Sequence, residues 1–247
     1  MKNRVNRQAK IIKFVLITIS TLIVLIIYNQ QAISEFLDTT YNEQYEEKVY
    51  YLDNLPEYKN EKYIIINDNE PYFIDADKNT NSFEKYSELD ELGRCGVAYA
   101  NISKEIMPTT ERGSIGNVKP SGWKTVKYDI VNGKYLYNRC HLIGYQLSGE
   151  NANSKNLITC TRQMNSETML EFENKVAKYV NKTNNHVLYR VTPVFKDNNL
   201  LASGVEVEAY SVEDNGKGIK FNVYIYNVQD GIEINYKNGD SKLIENE

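Results

Sequence analysis

The spacing of apolar and polar residues changes several times along this chain, and each change marks a predicted element. Residues 14–28 (FVLITISTLIVLIIY) run without a charge. With Ile11 and Ile12 they approach the roughly 20 apolar residues that span a bilayer. Residues 62–67 (KYIIIN) form a short β-branched run, followed by the turn-prone DNEP and a return at 72–75, which predicts a hairpin. Residues 82–92 read as a short helix ending at Gly93. Residues 95–102 (CGVAYANI) are small and apolar and suit a buried strand. Residues 108–123 are rich in Gly, Pro, Ser and Thr and predict a surface loop. Residues 126–131 and 134–137 flank Asn132-Gly133, a strong signal for a tight hairpin turn.

Downstream, Met169, Phe172, Val176 and Val180 recur at helical spacing and predict an amphipathic helix over 166–180. Strict alternation returns in 187–195 and in 204–212, where Val205, Val207 and Ala209 oppose Glu206, Glu208 and Tyr210. Residues 219–228 set Ile219, Phe221, Val223 and Ile225 on one face, and 232–236 complete the set before Asn238-Gly239. The predicted class is α+β, an antiparallel sheet core with one principal helix inserted.

The apolar segment near the start is preceded by Lys2, Arg4, Arg7, Lys10 and Lys13 without an acid. A cleaved signal peptide needs small residues such as A-x-A at its cut site, and Ala32 has Gln30 two places before it. We therefore read residues 1–10 as a basic cytoplasmic tail, 11–28 as a transmembrane signal anchor, 29–60 as an acidic stalk and 61–247 as the globular domain. The basic flank orients the domain to the outside of a cell membrane. Secretion after signal cleavage is the alternative.

The net charge of −4 argues weakly against a polyanionic partner, but its distribution matters more. Residues 35–61 hold eight acids against two lysines. Over 112–141 the balance reverses, with Arg112, Lys119, Lys124, Lys127, Lys134 and Arg139 against Asp129 alone. Cys95, Cys140 and Cys160 are too few and too scattered for zinc. Outside a cell one disulfide with one thiol left over is compatible with the sequence, which does not choose the pair; buried free thiols are the default.

The basic stretch leads into NRCHLIGYQLSGENANSKNLITCTRQMN, residues 138–165. Cleaving a phosphodiester needs a base for water and positive charge on the developing phosphorane oxygens. His141 suits the base and Arg139 a phosphate clamp. A magnesium ion needs few protein oxygens, and Asn165 supplies one. Each residue also has an ordinary reading: His141 as a packed strand residue, Asn156 in a turn, Asn165 as a helix N-cap, Glu173 as a solvated helix position, and Trp123 as packing.

The segment YLYNRCHLIGYQLSGENANSKNLITCTRQMN resembles the active-site region of the DNA/RNA non-specific endonucleases, whose motif often reads Asp-Arg-Gly-His. The likeness extends from about Cys95 through the final strands, and membrane-anchored nucleases of Gram-positive bacteria are similar in kind. It implies a ββα-metal (His-Me finger) fold within residues 61–247, which becomes the endonuclease domain. It also implies hydrolysis of DNA and RNA with Mg2+ or Mn2+. By this resemblance His141 is the general base, Asn165 the metal ligand and Arg139 the motif arginine. Asn156 supports the hydrated metal or orients the base, and Glu173 lies near the metal's water shell. Arg112, Lys119 and Lys124 are the expected nucleic-acid contacts. Asn138 and Cys140 depart from the motif's Asp and Gly. They motivate a second expectation, a catalytically weak module that captures extracellular DNA.

Overall fold

A computed structural model describes residues 28–30, 32–33, 52 and 54–245. All of the expected anchor at 11–28 except Tyr28, and most of the stalk, lie outside them. Among the described residues no helix is long and apolar enough to cross a membrane. The chain divides into two units, Met1–Leu55 and Pro56–Glu247, and the second holds every element of the expected globular domain.

The centre of this second unit is an antiparallel sheet. The strands β1 (Tyr63–Ile65), β2 (Phe83–Tyr86), β3 (Ala98–Ile102), β6 (Val187–Val194), β7 (Gly204–Ser211) and β8 (Lys220–Tyr226) lie in the order β1-β8-β7-β6-β3-β2. Two further pairs stand apart: β4 (Tyr137–His141) with β5 (Leu157–Thr161), and β9 (Ile232–Asn235) with β10 (Asp240–Leu243). The helices are α1 (Tyr145–Ser148) and α2 (Leu170–Thr183), the latter entered through a π-helical turn at Met164–Met169.

The helix α2 forms because Phe172, Val176 and Val180 fall on one stripe. That stripe is buried against Val187, Tyr189, Val207 and Phe221 of the sheet. Cys140, Ile158 and Cys160 of the β4–β5 pair join the same cluster. The helix stops at Asn184, whose left-handed backbone returns its N–H to Val180.

Two expectations are corrected. The 62–67 run does not fold back on 72–75; β1 pairs with β8 instead. The 72–75 segment lies over the second face of the sheet, where Phe73 packs with Leu188 and Val212. The expected strand at 204–212 is β7, and under that cover its Glu206 and Glu208 are buried too. Glu208 is held there by Arg190 at 2.6 Å, whose guanidinium lies 4.9 Å from the Phe73 ring centroid. Residues 82–92 hold the strand β2 rather than a helix. Phe83 packs edge-on against Tyr99 of the neighbouring strand at 4.9 Å, a cross-strand contact that helical spacing would lose. The strand β10, after Asn238-Gly239, has no counterpart among the predicted elements.

Candidate active site

The strands β4 and β5 pair antiparallel with His141 opposite Leu157, and the chain then enters the π turn and α2. Strand, strand and helix thus bring Asn138, Arg139, His141 and Asn165 into one region, in the order expected. A cleft of about 590 Å³ is lined by Arg112, Asn138, Arg139, Arg162 and Asn165, with Trp123 and Tyr135 on its aromatic side.

His141 is 7% exposed and does not line the cleft itself, which it meets through Arg112. Its Nε2 lies 2.7 Å from the backbone oxygen of Asn151. A carbonyl only accepts, so Nε2 carries the proton and Nδ1 keeps its lone pair. Arg112 Nη2 lies 3.3 Å from that Nδ1, a donor facing an acceptor. Burial holds the imidazole pKa below its usual value; the Asn151 carbonyl opposes that shift and the Arg112 charge adds to it. The neutral ring is the form a general base requires.

Asn165 is not an N-cap. It lies within the π turn, whose N-cap position is Gln163 without a side-chain cap. Its half-buried side chain faces the cleft. Single π turns occur frequently at functional sites because they re-aim one side chain without ending the helix.

Arg139 is less free than a phosphate clamp would be. Its Nε donates to the Val118 carbonyl and its Nη2 to Gly116 at 2.9 Å. Its guanidinium stacks 3.9 Å from the Trp123 ring centroid. The residue therefore fastens the 112–123 loop to β4. Asn156 is also committed: its Oδ1 accepts from Ile143 N at 2.9 Å and its Nδ2 donates to Ile143 O at 3.0 Å. Fully buried, it clips the backbone just past His141 and does not line the cleft. Glu173 is nearly buried and does not line the cleft either; Gln146 Nε2 lies 3.4 Å from it. A Cβ on Gly144 would meet its Oε2 at 2.4 Å, so glycine is required for that approach. Burial pushes the Glu173 pKa up to about 7, against the Gln146 hydrogen bond and the Arg112 charge.

Of the expected nucleic-acid contacts, Arg112 joins the cleft and Lys119 is exposed nearby in sequence. Lys124 is paired with Asp240 on β10. Two participants were missed. Arg162 lines the cleft and donates to Asn138 Oδ1 at 3.3 Å; its place one helical turn before Asn165 was the available signal. Asn151 acts through its backbone, which leaves no trace in side-chain chemistry. Neither departure from the motif damages the geometry. Cys140 has no positive φ, so glycine is not needed; its side chain is buried and bonded to Cys160. Asn138 places a buried Nδ2 at the cleft without a partner among the described residues, as Arg162 does its Nε.

The sequence matches the profile of the family described as DNA/RNA non-specific endonuclease over residues 75–213. The chain belongs to that family. Among characterised proteins it is similar to a deoxyribonuclease of Streptococcus dysgalactiae subsp. equisimilis, 27% identical over 197 residues, with 62% of this chain aligned. The chain spans 59% of the length of that relative. Among solved structures, NucA from Streptococcus agalactiae with a magnesium ion bound superposes with a TM-score of 0.67 at 27% identity, covering 77% of this chain and 92% of that one. The Sda1 nuclease with a bound zinc ion gives a TM-score of 0.56 at 29% identity, covering 66% and 81%. Family membership agrees with the motif at 138–141, and the neighbours share the mixed α/β architecture with an antiparallel sheet core.

Proposed function

We propose that this chain is a metal-dependent, sequence-non-specific endonuclease that hydrolyses phosphodiester bonds of DNA and RNA at the outer face of a cell membrane. The observation that carries this reading is the fixed His141 tautomer, with its basic Nδ1 turned to an arginine of the cleft that Asn165 also lines.

The cleft suits a phosphodiester. Asn138 Nδ2 and Arg162 Nε are buried donors without partners among the described residues, and such donors are costly unless an acceptor arrives. Phosphate oxygens are that acceptor. Arg112, an exposed residue, exchanges His141 for the phosphate on binding and so uncovers Nδ1. Water then attacks phosphorus, its proton passes to His141 Nδ1, one P–O ester bond breaks, and the leaving oxygen takes a proton from solvent. Arginine charge offsets the charge on the pentacovalent phosphorus.

The donor chemistry also suits a hard cation. Among the described residues no group of three or more His, Cys, Asp or Glu could hold a metal, so we assign the ligand to an amide. An amide oxygen at Asn165 fits magnesium or manganese, which keep most of their waters and take substrate oxygens. Such an ion, when bound, supplies Lewis-acid stabilisation of the phosphate. Placement outside the cell rests on the basic flank before the apolar segment.

The test is the full chain in detergent with plasmid DNA and with RNA, with and without EDTA. Metal-dependent cleavage of both is expected, falling by about 10²–10⁴-fold in His141→Ala. Cleavage that survives EDTA, or full activity in that variant, overturns the reading. Salt-sensitive retention of DNA without cleavage would instead mark a capture module.

A further inference from the structure

The aromatic side of the cleft carries chemistry that hydrolysis does not use. Tyr135 faces Lys127 across an isolated antiparallel bridge, and Lys127 Nζ lies 4.6 Å from the tyrosine ring centroid. The rest of the ring is open, since Tyr135 is 48% exposed, and it lines the same cleft as Arg162 and Asn165. Folding does not account for this exposure. Local packing is supplied by Leu136 and Tyr137, both buried in the second core cluster. Gly133, with φ 76, turns the chain so that Tyr135 follows at the cleft.

We infer that Tyr135 and Lys127 form a nucleobase-stacking subsite at the end of the cleft remote from His141. The subsite takes one unpaired base of the bound strand on the tyrosine ring, and Lys127 meets a flanking phosphate. This rests on the endonuclease reading and sharpens its substrate class. A ring backed by an ammonium and set beside an arginine-lined cleft joins the two elements of single-strand recognition, a stacking face and a cationic track. Tyr135 precedes His141 by six positions, so extended chain at about 3.3 Å per residue separates them by about 20 Å. Bases in an intact duplex stack on each other and offer no face to Tyr135. The favoured substrate is therefore a single-stranded or locally melted segment.

The test uses the full chain in detergent with EDTA, titrated with a single strand of about 12 nucleotides carrying 2-aminopurine at each position in turn. Wild type is expected to change the emission strongly at one position, set at a fixed offset from the cut site mapped with metal present. Tyr135→Ala should weaken binding on the order of tenfold and abolish that change, and Tyr135→Phe should restore both. With metal, KM for the strand should rise in Tyr135→Ala while kcat moves less than about threefold. Lys127→Ala, which leaves the ring in place, should lower the salt slope of binding by about one. Wild-type affinity and emission in Tyr135→Ala overturn the subsite, as does equal emission change at every position. Failure of the endonuclease reading looks different: the strand binds with its emission change, yet no substrate is cut in the presence of metal.

Discussion

His141 Nε2 lies 2.7 Å from the backbone oxygen of Asn151, and this contact leaves Nδ1 as the basic atom of the ring. Burial depresses the imidazole pKa, and the Arg112 charge depresses it further. The protonated ring cannot accept a proton from water. The acid limb of kcat/KM should therefore lie below the usual histidine value of about 6.5. Arg112→Ala removes one depressing influence and should move that limb upward while lowering kcat. A pH–rate profile in both proteins checks this; a limb that stays put in the variant refutes the coupling.

Arg139 acts as a positioning residue, and its partner provides a built-in probe. Trp123 is the single tryptophan of the chain and stacks under the Arg139 guanidinium. Arg139→Ala should shift tryptophan emission to the red and speed amide exchange across residues 112–123. Arg139→Lys should not restore either, because an ammonium lacks the planar fork that reaches two carbonyls while stacking. Loss of activity with unaltered emission would return Arg139 to the role of a phosphate clamp.

Glu173 should make the fold pH-dependent. Its folded pKa is raised from 4.5 to about 7, chiefly by burial. Between those values the folded state holds a proton that the unfolded state has released. Stability from this group is thus fully present below about 4.5, falls as pH rises to about 7, and is flat above. The span is on the order of 3 kcal/mol. Glu173→Gln should flatten Tm across that window, measured by calorimetry at several pH values. An unchanged slope would show that the carboxyl is ionised throughout.

The bond between Cys140 and Cys160 joins β4 to β5 across a sequence separation of 20. Closing a loop of that length is worth about 3 kcal/mol through the unfolded state. Urea unfolding with dithiothreitol should show a loss of about that size relative to oxidised protein. Coincident midpoints would show that the two thiols are unbonded in solution.

Much of this site was legible because it depends on local order. His141, Asn165 and the helix after them follow from a contiguous motif and one amphipathic stripe. What escaped depends on tertiary contacts that no short window holds. Asn151 works through its carbonyl, and Arg139 is claimed by the carbonyls of Gly116 and Val118. The same reason explains β2 and β7. Phe83 becomes a strand residue because Tyr99 is beside it, and the alternation of Glu206 and Glu208 suggests solvent until residues 72–75 cover that face. Asn156 shows the limit most clearly. It reads as a turn residue or a site amide in the sequence, and it is a buried clip on Ile143.

Asn165 offers the sharpest separation of structural from chemical roles. A capping asparagine replaced by alanine costs about 1 kcal/mol. Asn165 caps nothing, because it lies inside the π turn and the cap position belongs to Gln163. Asn165→Ala should therefore leave urea stability within about 0.5 kcal/mol of wild type, as for an ordinary surface change. Metal binding should respond strongly. The amide oxygen is the ligand we assign, so its loss should weaken magnesium binding measured by calorimetry in the presence of a non-cleavable phosphorothioate strand. Asn165→Asp keeps an oxygen in place and adds a charge, so it should bind the ion more tightly than wild type. Turnover need not follow affinity, since a bound carboxylate also reduces the ion's pull on the phosphate. If all three proteins bind magnesium equally, the ion is held elsewhere and the assignment fails, whatever the activities show.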